Sequence, residues 1–312
     1  MSARGGKSAP LGQDCVGLAE SGLSRHLLGA RVDVGPFKLG VIAMDKGAVF
    51  RKLHEASGAF IIPNPWDIGT AKLLASFGFK ALATTSAGFA FSRGLPDGGV
   101  GFEAMIHHCR EIAGATDLPV SADLERGKGN SPESAAETIF AAEAAGLAGC
   151  SIEDHTGEPD KPISDFSHAV ERVAAAVEAA RALKGDFVFT ARAENFLWGR
   201  PDLDDTIKRL QAFEQAGADV LYAPGLTDIA IVRQICSAVS KPVNVLAVTD
   251  FTVQALVDAG VRRISLGSKL TTFAFGMMET ASRQMLTDGD FGFARSCMPF
   301  ARVQELFAAP EE

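Results

Sequence analysis

Eight short apolar segments alternate with eight longer amphipathic stretches across most of this sequence. The apolar segments, which we predict to be strands, lie at residues 59–63, 81–86, 119–124, 149–154, 187–194, 220–224, 243–247 and 263–267. Strands that alternate with helices form a parallel sheet, and eight such units favour a closed (β/α)8 barrel. Two more amphipathic stretches, 268–287 and 291–307, predict extra C-terminal helices. The predicted fold class is therefore an α/β barrel of the TIM type with helices added at its end.

We predict that residues 44–312 form this barrel as a single domain. Such barrels typically need about 250 residues, and 47% of the 312 residues are hydrophobic, which supports a large core. Residues 1–43 are different, because they are rich in Gly, Ser, Ala and Leu, poor in acids, and without a sustained period. We interpret them as an irregular N-terminal extension. Their composition fits a transit peptide and also fits an over-long gene start that precedes Met44.

Charge and cysteine content narrow the expected partners and compartment. The formal net charge is −8 and no run of Lys or Arg occurs, so we expect neither nucleic acid nor an anionic membrane as a partner. No apolar stretch approaches the roughly 20 residues of a membrane span. The five cysteines are scattered without a C-x-x-C pair, which is typical of a reducing compartment and predicts a cytoplasmic protein.

Charged residues gather where the predicted strands end, and this is the end of a (β/α)8 barrel at which chemistry collects. Three neighbouring segments end in Asp123-Leu124-Glu125, Glu153-Asp154-His155 and Arg192-Ala193-Glu194. Because side chains alternate faces along a strand, Asp123 and Glu125 should share one side, as should Arg192 and Glu194. We therefore expect carboxylates from neighbouring strands and an arginine to meet at one mouth of the barrel.

Clustered carboxylates need a compensating charge, because they repel and raise one another's pKa. A divalent cation resolves this conflict, and ligation by oxygen alone favours Mg2+, or Mn2+, over zinc. Interpretations without a metal stay open at this point. The acids at positions 123 and 125 could form a buried ion pair with Arg126 or Lys128, and Glu153 could simply pair with Arg192.

Two loops beside the predicted mouth carry further candidate residues. His155 follows the fourth segment, and its ordinary pKa suits proton transfer, although many loop histidines are merely solvated. The second segment leads into residues 86–101, which we predict to be a Gly-rich loop. Its first residues, Ser86, Ala87 and Gly88, form either a plain turn or a source of backbone N–H groups for a substrate carboxylate.

Six segments together resemble the isocitrate lyase/phosphoenolpyruvate mutase superfamily. They read IPNPWDIGTAKLL, TTSAGFAFSRGLPDG, VSADLERGKGN, GCSIEDHTG, FTARAENF and DVLYAPGL. The similarity extends over residues 46–290. It implies a barrel whose last helix packs on a neighbouring subunit, usually in a homotetramer.

The resemblance also implies a metal site at the mouth. It implies Mg2+ bound through Asp123, with Glu125 and Glu153 reaching the ion largely through water. Asp97 matches an acid that lies near the metal on a loop in the family. The implied cofactor is thus the same cation that the clustered carboxylates favour.

Substrate contacts follow from the same resemblance. It implies that Ser86, Ala87 and Gly88 cradle the substrate carboxylate and that Arg192 holds a substrate oxygen. Asn244, in the seventh segment, falls near a family substrate contact. The expected ligand is therefore a small carboxylate.

The chain departs from the pattern of the lyases that act on isocitrate or methylisocitrate. Those enzymes carry a Lys/Arg-Cys-Gly-His segment after the fourth strand, and its cysteine reprotonates the product enolate. Here residues 155–162 are short and contain no cysteine. The acidic pair is Asp-x-Glu rather than Asp-x-Asp, and Lys128 replaces an aromatic residue. We therefore do not expect isocitrate lyase activity itself.

These observations predict an Mg2+-dependent lyase or decarboxylase. It would cleave a C–C bond in a small 2-oxo or 2-hydroxy carboxylate through an enolate, in the manner of an oxaloacetate decarboxylase. The predicted catalytic residues are Arg192, Glu153 and His155, with His155 or water protonating the enolate. One alternative is a P–C bond enzyme of the phosphonopyruvate mutase or hydrolase type, in which Lys128 or Lys161 would meet the phosphonate. A second alternative is a non-catalytic carboxylate-binding barrel.

Overall fold

The computed structural model describes residues 45–308, which contain an eight-stranded parallel sheet. The strands are β1 (Phe60–Ile62), β2 (Leu82–Ala83), β3 (Val120–Asp123), β4 (Gly149–Glu153), β5 (Val188–Arg192), β6 (Val220–Tyr222), β7 (Val243–Leu246) and β8 (Arg263–Ser265). Neighbours in space follow the chain order, and β8 returns to pair with β1. The predicted α/β barrel is confirmed. The extension predicted at residues 1–43 lies outside the described residues.

The barrel is nearly closed. In the part of the chain that the structure describes, β1 and β2 form no ladder, but the N–H of Ala83 donates to the carbonyl of Pro63 at 3.0 Å. Asn64, which follows β1, strengthens this seam. Its amide donates to the carbonyl of Thr84 at 2.9 Å, and its Oδ1 accepts the N–H of Leu266, also at 2.9 Å. These bonds tie the carboxyl ends of β1, β2 and β8 together.

Helices cover the outside of the sheet. They are α1 (Lys46–Glu55), α2 (Ile68–Ser76), α3 (Ser86–Ser92), α4 (Phe102–Ala115), α5 (Pro132–Ala144), α6 (Phe166–Ala182), α7 (Leu203–Ala216), α8 (Ile229–Ala238), α9 (Val253–Asp258), α10 (Lys269–Asp288) and α11 (Phe300–Phe307). Many begin at a side chain that caps the first free N–H groups, as Asp67 caps α2 at Thr70 N–H. Because these caps fix where each helix starts, they also fix the lengths of the loops at the mouth.

Two sequence-based predictions about helices were wrong. The predicted Gly-rich loop at residues 86–101 begins instead with α3, because Thr85 accepts the N–H of Gly88 at 3.1 Å and caps a helix there. The predicted final helix at 291–307 is divided into a 3-10 turn, Gly292–Ser296, and α11. Pro299 separates them, and the residue before a proline is disfavoured in helical geometry.

An apolar plug closes the amino end of the barrel. Phe50 of α1 is fully buried among Ala148, Val188 and Val220, which point inward from the region where β4, β5 and β6 begin. His54, one turn further along α1, is buried beside Phe50 and stacks edge-on against its ring. The space inside the barrel is therefore filled at this end.

Candidate active site

The carboxyl ends of the strands surround a cavity of about 490 Å3. Most of the residues predicted for the site line it, namely Ser86, Ala87, Asp97, Asp123, Glu125, Glu153, His155, Arg192 and Asn244. Gly88 does not line it. Its N–H is used by the cap at Thr85, and a Cβ on it would collide with Thr85 and Thr271. Of the predicted carboxylate cradle, the cavity therefore meets Ser86 and Ala87.

Arg192, the last residue of β5, is the centre of the site. Its Nη1 donates to Asp123 Oδ1 at 2.6 Å, its Nη2 lies 2.9 Å from Glu153 Oε2, and its Nε donates to Glu194 at 2.9 Å. Burial would lower the pKa of this guanidinium, but the three carboxylates raise it well above its ordinary value. The ion pair of Glu153 with Arg192 that the sequence left open is thus present. Arg192 also pairs with two further acids, Asp123 and Glu194.

Asp123 ends β3 and receives donors from two sides. Besides the bond from Arg192, its Oδ2 accepts the hydroxyl of Ser86 at 2.9 Å and the N–H of Ser86 at 3.3 Å. Among residues 45–308, neither Arg126 nor Lys128 lies within 4.0 Å of the carboxylates of Asp123 or Glu125, so the ion pair that the sequence left open is not present. The Lys128 ammonium lies 2.7 Å from Glu137 on the outside of the barrel.

Glu125 reaches the mouth by a different route from the one that strand alternation predicted. Strand β3 ends at Asp123. Glu125 adopts a left-handed backbone conformation with φ of 51°, which residues other than glycine rarely adopt. A tight turn follows, in which Gly127 N–H donates to the carbonyl of Leu124 at 2.7 Å. A strained turn, rather than strand pleating, therefore directs this carboxylate to the cavity.

The acids at the mouth are under-compensated. Burial, then the charges of Asp123, Glu153 and Asp97, raise the pKa of Glu125 to about 7. Burial and the charge of Asp123 also raise the pKa of Asp97. Mutual repulsion was predicted from the sequence, and the direction of both pKa shifts agrees with it.

The donor set fits a hard divalent cation held largely through water. Among residues 45–308, no three His, Cys, Asp or Glu side chains converge closely enough to hold an ion directly. The acids that face the cavity offer only oxygen, and burial together with their mutual repulsion raises the pKa values of Glu125 and Asp97. Mg2+ keeps several of its own waters and needs few direct carboxylate ligands. Asp123 as the direct ligand, with Glu125 and Glu153 at a distance, is compatible with this arrangement.

His155 lies at the rim, where an aromatic side chain covers it. Its Nδ1 is 3.6 Å from Glu153 Oε1, and its ring stacks on Trp198 with 3.8 Å between centroids and 7° between planes. Trp198 and its neighbour Leu197 are about half exposed, and both line the cavity. Sequence reasoning missed them, although a Leu-Trp pair in the polar loop after the fifth segment was a visible signal.

Buried polar residues behind the mouth were also missed as parts of the site. Asp154 accepts the N–H of Glu194 at 2.9 Å and pairs with Arg209 at 3.1 Å, which fixes the ends of β4 and β5 relative to one another. Arg263 and Tyr222 line the cavity below the acids. The Arg192 guanidinium sits 5.2 Å from the centre of the Tyr222 ring. No spacing rule predicts such residues, because they are brought together from separate strands.

The sequence profile of the phosphoenolpyruvate phosphomutase family matches residues 50–286. The chain belongs to the isocitrate lyase/phosphoenolpyruvate mutase superfamily. The resemblance inferred from the six segments is therefore confirmed. Among its superfamily relatives, the 2-methylisocitrate lyase of Escherichia coli (strain K12) is 32% identical over 205 residues, which is 63% of this chain and 68% of the relative.

Two solved structures place the fold within the superfamily. A Burkholderia cenocepacia J2315 protein, described provisionally as a lyase/mutase, is 50% identical, with a TM-score of 0.84 over 86% of this chain and 98% of its own. A phosphonopyruvate hydrolase solved with oxalate and Mg2+ has a TM-score of 0.76 over 84% of this chain and 95% of its own. At 21% identity, the hydrolase supports the fold alone. Oxalate and Mg2+ are ligands of that hydrolase.

Proposed function

We propose that this protein is an Mg2+-dependent lyase or decarboxylase that cleaves a C–C bond in a small 2-oxo or 2-hydroxy carboxylate. The observation that carries the proposal is the cavity in which Arg192 faces a ring of under-compensated carboxylates. Membership of a superfamily that includes 2-methylisocitrate lyase supports this reaction class. The expected product of bond cleavage is an enolate, which needs positive charge next to its oxygen.

Three groups of this chain would handle the substrate. Ala87, in the first turn of α3, would offer its N–H to the substrate carboxylate, and Ser86 beside it lines the cavity with both of its donors bonded to Asp123. Arg192 binds the adjacent oxygen through its planar fork and stabilises the charge that collects there as the bond breaks. Asp123, with Glu125 and Glu153 at a distance, would hold Mg2+, which would supply further polarisation of the same oxygens.

The proton that completes the reaction comes from His155 or from water. The two cysteines nearest the barrel, Cys109 and Cys150, are buried away from the cavity, and burial raises their pKa values. They are unsuited to the role that a cysteine plays in the isocitrate-cleaving relatives. His155 lines the cavity beside Glu153, which makes it the candidate donor among the side chains at the rim.

The two lysines considered for a phosphonate substrate lie outside the cavity. A phosphonate would need cationic groups, and the sequence offered Lys128 and Lys161 for that role. Lys128 pairs with Glu137 at 2.7 Å, and Lys161 pairs with Asp165 at 2.6 Å; both ammonium groups are exposed and neither lysine lines the cavity. These two lysines therefore give the P–C alternative no support.

We also propose that the protein is a homo-oligomer, with a tetramer as the expected state. The C-terminal helices and the turn between them expose large apolar side chains, which include Phe273, Met278, Leu286, Phe291, Phe300 and Phe307. Exposed apolar clusters of this kind are typical of subunit contacts. Light scattering coupled to size-exclusion chromatography measures the oligomeric state directly.

No helix among residues 45–308 has the length and apolar character to cross a lipid bilayer.

A substrate screen tests the proposed reaction. Purified protein is incubated with Mg2+ and a set of 2-oxo and 2-hydroxy acids and diacids, and pyruvate release is measured by a coupled assay. We expect turnover of at least one C–C substrate and none of phosphonopyruvate. Phosphate release from phosphonopyruvate would instead establish the P–C alternative. Carboxylate binding without any turnover would establish the non-catalytic barrel.

A further inference from the structure

Arg263 on β8 is a buried cation that the proposed reaction does not use. It is only 4% exposed, yet it lines the cavity, one inward-facing position deeper than Ser265. Its Nε donates to Asn244 Oδ1 at 2.9 Å, and its Nη2 donates to Thr190 Oγ1 at 3.1 Å. Its Nη1 has no hydrogen-bond partner among residues 45–308. Both of its partners are neutral.

The charge of Arg263 is not balanced by the protein. Within the described chain, no carboxylate lies within 4.0 Å of its guanidinium, whereas Arg192 pairs with three acids and Arg209 with two. Burial and the charge of Arg192 lower the pKa of Arg263 to about 10, so it remains protonated at neutral pH. A buried and unpaired charge is costly. An anion bound at the cavity floor would offset that cost.

Arg263 also determines how Asn244 faces the cavity. A guanidinium only donates hydrogen bonds, so the atom of Asn244 that contacts it must be the amide oxygen. The amide nitrogen then points the other way, where it donates to Ser265 Oγ at 3.0 Å. Asn244 is thereby fixed as an N–H donor at the floor of the cavity, which Ser121 and Ser151 also line.

We propose that Arg263 is a positioning residue that makes the cavity floor selective for an anionic group, by fixing Asn244 as a donor and by contributing a charge that no acid among residues 45–308 neutralises. This inference rests on the proposed function and narrows its substrate class. The preferred acid carries a second anionic group in addition to the carboxylate bound at the mouth. Dianions are therefore bound more tightly than monoanions of the same shape.

Oxalate and oxamate are the probes, because they have nearly the same shape but two charges and one charge, respectively. Binding of each to the full-length protein with Mg2+ is measured by titration calorimetry. We expect Arg263→Met to weaken oxalate binding about 10-fold or more and oxamate binding by less than about 3-fold. Arg263→Lys restores the preference for oxalate in part, since it keeps the charge but not the fork. The control is Arg262→Met, which removes the exposed neighbouring arginine.

A second variant tests the charge without removing Arg263. Asn244→Asp keeps the volume of the side chain and places a carboxylate next to the guanidinium, so the preference for oxalate should disappear. An unchanged ratio of oxalate to oxamate affinity in Arg263→Met and Asn244→Asp would overturn the inference and leave the proposed function intact. Failure of the unaltered protein to bind either anion would overturn both. Circular dichroism tests whether each variant is folded. If Arg263→Met does not fold, the oxalate and oxamate affinities of Asn244→Asp decide the question.

Discussion

At the amino end of the barrel, Arg51 of α1 pairs with Asp186 and with Asp219, each at 2.7 Å. The hydrogen bonds from Arg51 hold the pKa of Asp186 below its ordinary value. At the carboxyl end, by contrast, Arg192 is shared among three acids, and the pKa of Glu125 rises to about 7. The first arrangement satisfies its charges within the chain. The second leaves negative charge that a ligand must balance.

The difference separates what stabilises the fold from what serves the site. Phe50 and its apolar neighbours fill the amino end completely, so that end contributes burial. The carboxyl end instead contains a residue with left-handed backbone, Glu125, and an unpaired buried cation, Arg263. Such unfavourable features persist where a site needs them and where the rest of the fold provides the stability.

Replacement of Asp123 by Ala should disrupt the site at the carboxyl end of the barrel without affecting the apolar cluster around Phe50 at the amino end. We expect activity to fall to background and Mg2+ affinity, measured by calorimetry, to drop sharply, because the proposed direct ligand is lost. Thermal stability should change little, since the repulsion among the remaining acids is relieved. Full activity of this variant would refute the metal site.

Arg192→Lys keeps the charge at the centre of the mouth but loses the planar fork. We expect kcat/KM to fall about 100-fold, the scale of losing one donor to a developing oxyanion. Steady-state kinetics on whichever acid the screen identifies would measure this. A variant that melts at a lower temperature but turns over normally would make Arg192 a purely structural ion-pair partner.

Phe50→Ala tests the opposite end of the barrel. Removal of a fully buried aromatic ring should lower the free energy of unfolding by about 3–5 kcal/mol and leave KM nearly unchanged. Urea unfolding and kinetics on the same sample separate the two effects. Loss of activity in protein that is still folded would show that the plug and the mouth are coupled.

The contributions of the two ends of the barrel to the free energy of unfolding should depend on pH in opposite directions. Burial lowers the pKa of His54 to about 3, below its unfolded value of 6.5, so stability at the amino end is lost as pH falls below 6.5. Burial, and then the charges of Asp123, Glu153 and Asp97, raise the pKa of Glu125 at the mouth to about 7, so its contribution to stability is lost as pH rises from 4.5 through about 7. Urea unfolding of His54→Gln and Glu125→Gln across these ranges should remove one slope each. Unaltered slopes would contradict the assignments.

The smallest expected effect is that of His155→Gln. If His155 protonates the enolate, turnover slows only for substrates whose enolate is protonated on the enzyme, and formation of the enolate is unaffected. Isotope exchange at the product methyl group separates the two steps. An identical exchange profile in the variant would assign the proton to water and leave His155 as the stacking partner of Trp198.

The sequence by itself determined the barrel and most of the residues at its mouth. Alternation of apolar and amphipathic segments defines parallel strands, and parallel strands place all their carboxyl ends on one side. Asp123, Glu153 and Arg192 were therefore predictable as neighbours, since each ends a strand. The failure at residues 86–101 is local, because Thr85 had not been recognised as a helix cap.

Only the tertiary structure decided how those residues interact. Arg192 could have paired with one acid or with several, and the three bonds it makes depend on the packing of β3, β4 and β5. Glu125 faces the cavity through a left-handed turn that strand periodicity does not predict. Arg263 gains its role from Asn244 and Thr190, which come from two other strands. Pairing energies and burial depend on distances across the barrel, and a sequence pattern contains no information about them.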